Sequence, residues 1–292
     1  MKLFSRDLYE DEFTQIYLNP NLQIIEDVYN SFIQMPEKEE VRFFAEISIE
    51  GVYDSEKLKE AAFKMIYEIY SRTKFLFYTH IYKTIKLIEA LRSMYNEKNY
   101  LGWGAIGRSV IEHSAVFFYF VEKLKKENIG GTTFTISQLK KVENLLIKYT
   151  NGTSFDWDKL LDGEFENIQL KYQPEDKNHK PVHVHDAIRK LAKRSLLFKD
   201  LEIMYSAFCD IVHPNMASHM PFIELTNKNE GINKISLNVN EERSQFIMVL
   251  TLDTITLALG NIASLVKELS KYLDHWFNIF ENKHPITIDI RN

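Results

Sequence analysis

The segment Tyr100–Leu124, YLGWGAIGRSVIEHSAVFFYFVEKL, limits the fold more than any other part of the chain. From about Ala105 onward it has a helical period. Ile106, Val110, Phe117, Val121 and Leu124 form a broad apolar stripe. Arg108, Glu112, Ala115 and Tyr119 recur on the opposite side, at i, i+4, i+7 and i+11. An arginine and a glutamate one turn apart in so apolar a helix are expected to lie at least partly inside the protein. Burying a charge is costly unless a partner compensates for the lost water. The pair is therefore either a structural ion pair or a group placed for chemistry.

A chain of 292 residues can form one large helical domain or two smaller ones with a sizeable core. Its 10 glycines and 7 prolines are few for that length, which favours long helices over a many-turned β protein. The net charge of −5 argues against a broad cationic surface for duplex nucleic acid. Two local basic strips remain, Arg189, Lys190, Lys193 and Arg194, and Lys123, Lys125 and Lys126. Each is either a guide for a phosphate backbone or an ordinary solvated helix face. Cys209 is the single cysteine, so neither an intramolecular disulfide nor a cysteine zinc cluster is expected, and a reducing cytoplasm fits. The opening MKLFSRDLYE has no apolar core of a signal peptide. Phe246 to Val266 is long enough to span a bilayer, but Asp253, Thr251, Thr254, Thr256, Asn261 and Ser264 point to a buried central helix and no membrane.

Taken in order, residues 1–36 read as two short helices broken at Asn19–Pro20, because proline interrupts the helical hydrogen-bond ladder. Residues 37–54 fit neither period. Asp54 and Ser55 open one long helix or two abutting ones, running through Leu58, Ala62, Ile69, Ile81, Ile88 and Leu91. Asn96–Asn99 is a polar turn before the Arg108 helix, which closes at Gly130–Gly131. An amphipathic helix follows over 132–149, then a loop-rich insertion at about 150–185. Asp186 reads as the N-cap of a helix from Ala187 to about Val212, stopped by His213–Pro214. Residues 221–226 and 232–239 flank a turn-rich link and predict a hairpin. A helix over 241–280 closes the core, and 286–290 is an extended tail. The expected fold is all-α, a multi-helix bundle-like core with one small β-hairpin near 221–239. Residues 1–54 form an N-terminal helical extension to a main domain over 55–292.

Three constellations could carry chemistry. Arg108 and His113 have Arg-x4-His spacing, with the polar Ser109 after the arginine. On a regular helix the two would lie about 140° apart, with His113 beside the apolar stripe, so a packed core histidine is the competing reading. Arg108 and Glu112 could also meet Tyr205, Cys209 and His213, which share one side of the later helix. Antiparallel packing of the two helices would then assemble a forked cation for phosphate or carboxylate, a proton carrier and an orienting carboxylate. A buried polar network that sets helix register is the alternative. Last, His183 and His185, with Asp186, are weak metal candidates, and no His-Glu-x-x-His motif supports them. No phosphate-binding loop, dinucleotide fingerprint, nucleophile elbow or kinase signature is present.

The pattern Gly-x-x-Gly-Arg-Ser-x-x-Glu over Gly104–Glu112, followed by Tyr205, Cys209 and the Val212-His213-Pro214 element, resembles a group of bacterial all-helical domains of unknown function. These look like distant relatives of the HEPN superfamily, and the resemblance covers roughly residues 60–275. Arg108, Glu112, Tyr205 and His213 are the positions it carries over. It implies a metal-independent endoribonuclease of toxin or phage-defence type, cytoplasmic and homodimeric, without a cofactor. Antitoxin or defence-system proteins are the partners it implies. Arg108 would hold the scissile phosphate, His213 or His113 would move the proton, and Glu112 would orient the cluster. The alternative is a non-catalytic module that binds a nucleotide or a partner protein through the same residues. Asn does not follow the arginine here, as it does in the RNases of that superfamily.

Overall fold

The computed structural model describes residues 2–6, 12–35, 55–127, 133–151, 157–163, 182–213, 222–228, 232–239, 241–281 and 287–289. The protein is all-α, with two small two-stranded ladders. Helices are α1 (Glu12–Phe32), α2 (Ser55–Asn96), α3 (Tyr100–Lys126), α4 (Ile136–Asn151), α5 (Trp157–Leu161), α6 (Val184–Ala192), α7 (Leu201–Val212) and α8 (Glu241–Glu281). Strands are β1 (Thr133–Thr135), β2 (Ile223–Lys228), β3 (Ile232–Val239) and β4 (Thr287–Asp289). The chain divides into two compact units, Met1–Pro36 with Ile81–Phe117 and Val184–Ser264, and Glu37–His80 with Phe118–His183 and Leu265–Asn292.

The first unit buries Leu22 and Ile25 of α1, Ile88 and Leu91 of α2, and Val110 and Ile111 of α3. It also buries Ile188 of α6, Phe208 of α7 and Ile255 of α8. Several polar groups inside it are paired, which offsets the cost of burying them. The Trp103 indole donates to Thr251 Oγ1 at 3.0 Å, and Asn261 Nδ2 donates to Ser114 Oγ at 3.0 Å. Glu26 is buried on α1, and its carboxylate accepts from the amides of Leu3 (2.7 Å) and Phe4 (3.1 Å) and from Arg6 Nη2 (2.7 Å). That bond set pins the N-terminal residues, and Phe4 meets the Tyr95 ring edge to face at 5.3 Å. β2 and β3 form the expected antiparallel hairpin, with a register shift at Ile223/Glu224.

The second unit buries Met65, Ile69 and Phe77 of α2, Phe120 and Leu124 of α3, Leu139 and Leu146 of α4, and Leu265 and Trp276 of α8. The tail strand β4 pairs with β1 in parallel, Thr133 to Thr287 through Thr135 to Asp289. Glu143 on α4 is half-buried, and desolvation raises its carboxyl pKa above the ordinary value, against the smaller opposing pull of Arg72. A carboxyl with a raised folded-state pKa favours the fold most when protonated, below the unfolded pKa, and that contribution fades as pH climbs through the folded value. Glu143→Gln is therefore expected to melt higher than wild type at pH 7 and alike at pH 4. Equal melting temperatures at both would contradict this.

Several elements differ from the sequence reading. α1 is one continuous helix with Pro20 inside it, not two pieces. Pro20 is exposed, as is Ile16 one turn earlier, so water can satisfy the carbonyl that Pro20 cannot. α3 begins at Tyr100 rather than near Ala105, because Asn99 caps it, its Oδ1 accepting from the Gly102 amide at 2.9 Å. A strand precedes α4, which starts at Ile136 on a reciprocal cap. The Thr135 hydroxyl accepts from the Gln138 amide (3.1 Å) and the Gln138 side chain from the Thr135 amide (2.9 Å). The helix expected over 187–212 is two helices, α6 and α7, with a 3-10 turn at Leu196–Phe198 between them. Asp186 lies in the first turn of α6 rather than capping it. The break is stabilised by Ser195, whose hydroxyl accepts from the Leu197 amide at 3.1 Å. Of the insertion at 150–185, α5 is described and much of the remainder lies outside the described residues, as do 37–54 and Gly130–Gly131. α8 is the one helix among the described residues long and apolar enough to cross a membrane, and 56% of its most apolar window is buried. Its Asp253 is exposed and accepts from Asn21 Nδ2 at 2.5 Å.

Candidate functional site

α3 and α7 touch, and two glycines set how closely. A Cβ on Gly104 would lie 2.6 Å from Ile211 Cγ2, and one on Gly107 would lie 2.7 Å from Phe208 Cε1. Gly104 faces Ile211, Gly107 faces Phe208, and Glu112 reaches Tyr205, so the two helices run antiparallel. This is the packing that brings Arg108, Glu112 and Tyr205 together.

Arg108 Nε donates to Glu112 Oε1 at 2.9 Å, and the Tyr205 hydroxyl donates to the same oxygen at 2.7 Å. The guanidinium also lies over the Tyr205 ring, 5.8 Å from its centroid. Glu112 thus compensates one cation and one buried phenol with a single carboxylate. The Tyr205 ring is buried, while the Arg108 and Glu112 side chains keep 38% and 29% of their surface. That exposure separates a site from a core ion pair. Nε is spent on Glu112, and among the described residues the two terminal amino groups have no partner, so the fork can meet an oxyanion from outside.

Burial raises the Tyr205 pKa above its ordinary value, and hydrogen bonds to Glu112 and Cys209 raise it further. The phenol stays protonated near neutral pH and acts as a fixed donor, not a base. Burial, the largest single influence, would lower the Arg108 pKa, but the hydrogen bond to Glu112 and the nearby charges of Glu112, Cys209 and Tyr205 together outweigh it, and the net shift is upward. Both shifts keep the cation charged and its orientation set.

The other expected residues are distributed differently. His113 is buried, with Nε2 3.1 Å from Thr84 Oγ1. It faces the core and is not brought to Arg108. His213 caps α7 from an exposed position, two turns beyond Tyr205. Cys209 is half-buried one turn after Tyr205. His183 and His185 are exposed, and no group of three or more potential metal ligands occurs among the described residues. His185 instead packs its ring edge to face against Tyr205, centroids 5.4 Å apart. The sequence reading did not connect these two. On one unbroken helix, 20 residues would hold them about 30 Å apart. The break at Leu196–Phe198 folds α6 back along α7, and Arg189 Nε meets Glu202 Oε1 at 3.1 Å one turn further on.

The basic strips are partly committed. Arg189 pairs with Glu202, and Arg194 Nη1 donates to Asn261 Oδ1 at 2.7 Å, while Lys190 on α6 and Lys193 just after it are exposed. Lys125 pairs with Glu122 (3.0 Å) and Glu268 (2.6 Å), and Lys123 lies over the Tyr119 ring.

Fold and site together define an all-helical protein with a carboxylate-anchored arginine presented at a glycine-spaced helix pair. The model of the family described as "Family of unknown function (DUF5677)" matches residues 74–232, more than half of the chain and the whole of this cluster. The chain belongs to that family. No match is found among curated proteins or among solved structures.

Proposed function

We propose that the protein is a HEPN-like, cytoplasmic endoribonuclease of toxin or phage-defence type that binds RNA through a phosphate held at Arg108 and cleaves it without a metal ion. The observation that carries this reading is the Arg108 guanidinium. It is held through Nε and the Tyr205 ring, while its side chain keeps 38% of its surface. A guanidinium fixed before the substrate arrives loses little entropy on binding and can stabilise charge that develops on a phosphate. In such a reaction a base takes the 2′-hydroxyl proton, that oxygen attacks phosphorus, and the 5′-oxygen leaves with a proton from an acid. Glu112 and Tyr205 position Arg108, and the proton carrier is a histidine, of which His185 and His213 are exposed. As in the superfamily it resembles, a homodimer and an antitoxin or defence-system partner are part of this proposal.

A second reading, a non-catalytic module that binds a nucleotide or a partner protein, is favoured by the burial of His113. The Arg-x4-His pair does not converge on one face. Incubating a mixed RNA pool with purified protein in EDTA separates the two. Wild type is expected to cleave, and Arg108→Ala to lose at least about 100-fold of that activity at an unchanged melting temperature. A wild type that binds RNA and leaves it intact would sink the enzymatic reading and favour the module.

A further inference from the structure

We infer that the closed end of the α6–α7 hairpin is a peripheral docking surface for an anionic lipid bilayer, with Leu196 and Leu197 entering the headgroup region and the lysines beside them meeting lipid phosphate. This inference does not depend on the nuclease reading. α6 folds back along α7, because His185 meets Tyr205 and Arg189 meets Glu202 across the pair. Residues 193–200 therefore lie together at the closed end. There Leu196 and Leu197 are 86% and 71% exposed, side by side in the 3-10 turn. Aliphatic groups left in water release free energy when a partner covers them. The turn is held in this form. Ser195 Oγ accepts from the Leu197 amide, and Arg194 Nη1 donates to the buried Asn261 of α8. A turn fixed in advance loses little entropy on contact.

Charge selects the partner. Residues 189–199 carry Arg189, Lys190, Lys193, Arg194 and Lys199 and no carboxylate, in a chain whose net charge is −5. Lys193 and Lys199 flank the two leucines and are exposed. A second copy of the same tip would bring like charges together. A nucleic acid would engage the cations but leave both leucines in water, and Phe198, the aromatic side chain of the turn, is half-buried rather than open to stack on a base. A stable protein partner covers about 800 Å² on each side, more than a single 3-10 turn offers. An anionic bilayer uses both features, cations at the level of the phosphates and leucines at the boundary of the acyl chains. The contact is peripheral and involves no membrane span.

The test is co-sedimentation of the full chain with vesicles of about 30% phosphatidylserine in phosphatidylcholine, beside vesicles of phosphatidylcholine alone. Wild type is expected to partition at least about tenfold more strongly onto the anionic vesicles, and to lose most of that binding in high salt. Leu196→Ser combined with Leu197→Ser is expected to weaken binding by about tenfold or more. Lys193→Gln combined with Lys199→Gln is expected to weaken it by about 25-fold, roughly fivefold per charge. Leu161→Ser on α5, similarly exposed and outside the tip, is expected to bind as wild type does. All of these side chains are exposed, so every variant is expected to melt with wild type. A wild type that ignores anionic vesicles would overturn the inference and leave the tip to a nucleic acid or a protein. Equal binding to both kinds of vesicle would overturn it too. So would a leucine variant that binds as wild type does, because charge alone would then hold the protein.

Discussion

Glu26→Ala is expected to lower stability by about 3 kcal/mol, read from urea unfolding, because it strips three donors of one buried acceptor. The Glu26 carboxylate is 1% exposed and takes the Leu3 and Phe4 amides on Oε1 and Arg6 Nη2 on Oε2. Alanine leaves two buried amides and a mostly buried guanidinium without that partner. Unpaired buried donors carry their full desolvation cost, and a charged one costs most. Glu26→Gln retains an oxygen for the two amides and is expected to lose about half as much. Hydrogen exchange supplies a second readout, since the Leu3 and Phe4 amides should exchange far faster in Glu26→Ala. A loss below about 1 kcal/mol, with those amides still protected, would mean that the N-terminal residues are held by Phe4 packing alone.

The second large effect concerns Gly107. Placing a methyl there brings it within 2.7 and 2.8 Å of two atoms of the Phe208 ring and 3.0 Å of Ile255 Cδ1. Phe208 and Ile255 are fully buried, so the ring cannot simply swing away into solvent. Alanine ordinarily helps a helix by about 0.5–1 kcal/mol over glycine, but overpacking a filled core costs about 1–3 kcal/mol. The net expectation is a loss of about 2 kcal/mol. The displacement of α7 from α3 would also part Tyr205 from Glu112, so RNA binding should fall with stability. Gly260 on α8 is the matched control, because its Cβ position is open, and Gly260→Ala should raise stability by about 0.5–1 kcal/mol. If both substitutions stabilise, the close approach of the two helices is not what Gly107 is there for.

These residues also mark how far the sequence could be read. Helical periodicity made α2, α3 and α8 visible, and the paired Ile/Val/Leu-rich flanks made the hairpin visible, because each is a local pattern. The Arg108–Glu112 pair was legible for the same reason, being one turn apart on a single helix. Contact of Tyr205 with Glu112 could be framed only as a condition, that two helices pack antiparallel, and nothing near either residue decides that. The glycines that decide it, Gly104 and Gly107, were noticed as a pattern without a reason, since the reason is the Ile211 and Phe208 side chains across the interface. Caps were readable and underused. Asn99 three residues before Gly102, and Thr135 three before Gln138, are the signals that set the starts of α3 and α4. Pro20 misled because its effect depends on burial, which periodicity does not report for a single position. His185 was hidden by treating 187–212 as unbroken. Ser195, a turn-favouring residue in the middle of that span, was the available sign of a break.

The most direct test of the central claim, that Arg108 is held ready for a phosphate, is the affinity of Arg108→Gln for a labelled single-stranded RNA. The RNA carries 2′-O-methyl groups so that binding is measured apart from cleavage, and EDTA and a salt series are included. The account predicts a loss of about tenfold or more at low salt and a salt dependence weakened by about one phosphate contact, in a protein that melts as wild type does. Equal affinity and an equal salt slope for the two folded proteins would contradict it, and would leave Arg108, Glu112 and Tyr205 as a network that only sets the register of α3 against α7.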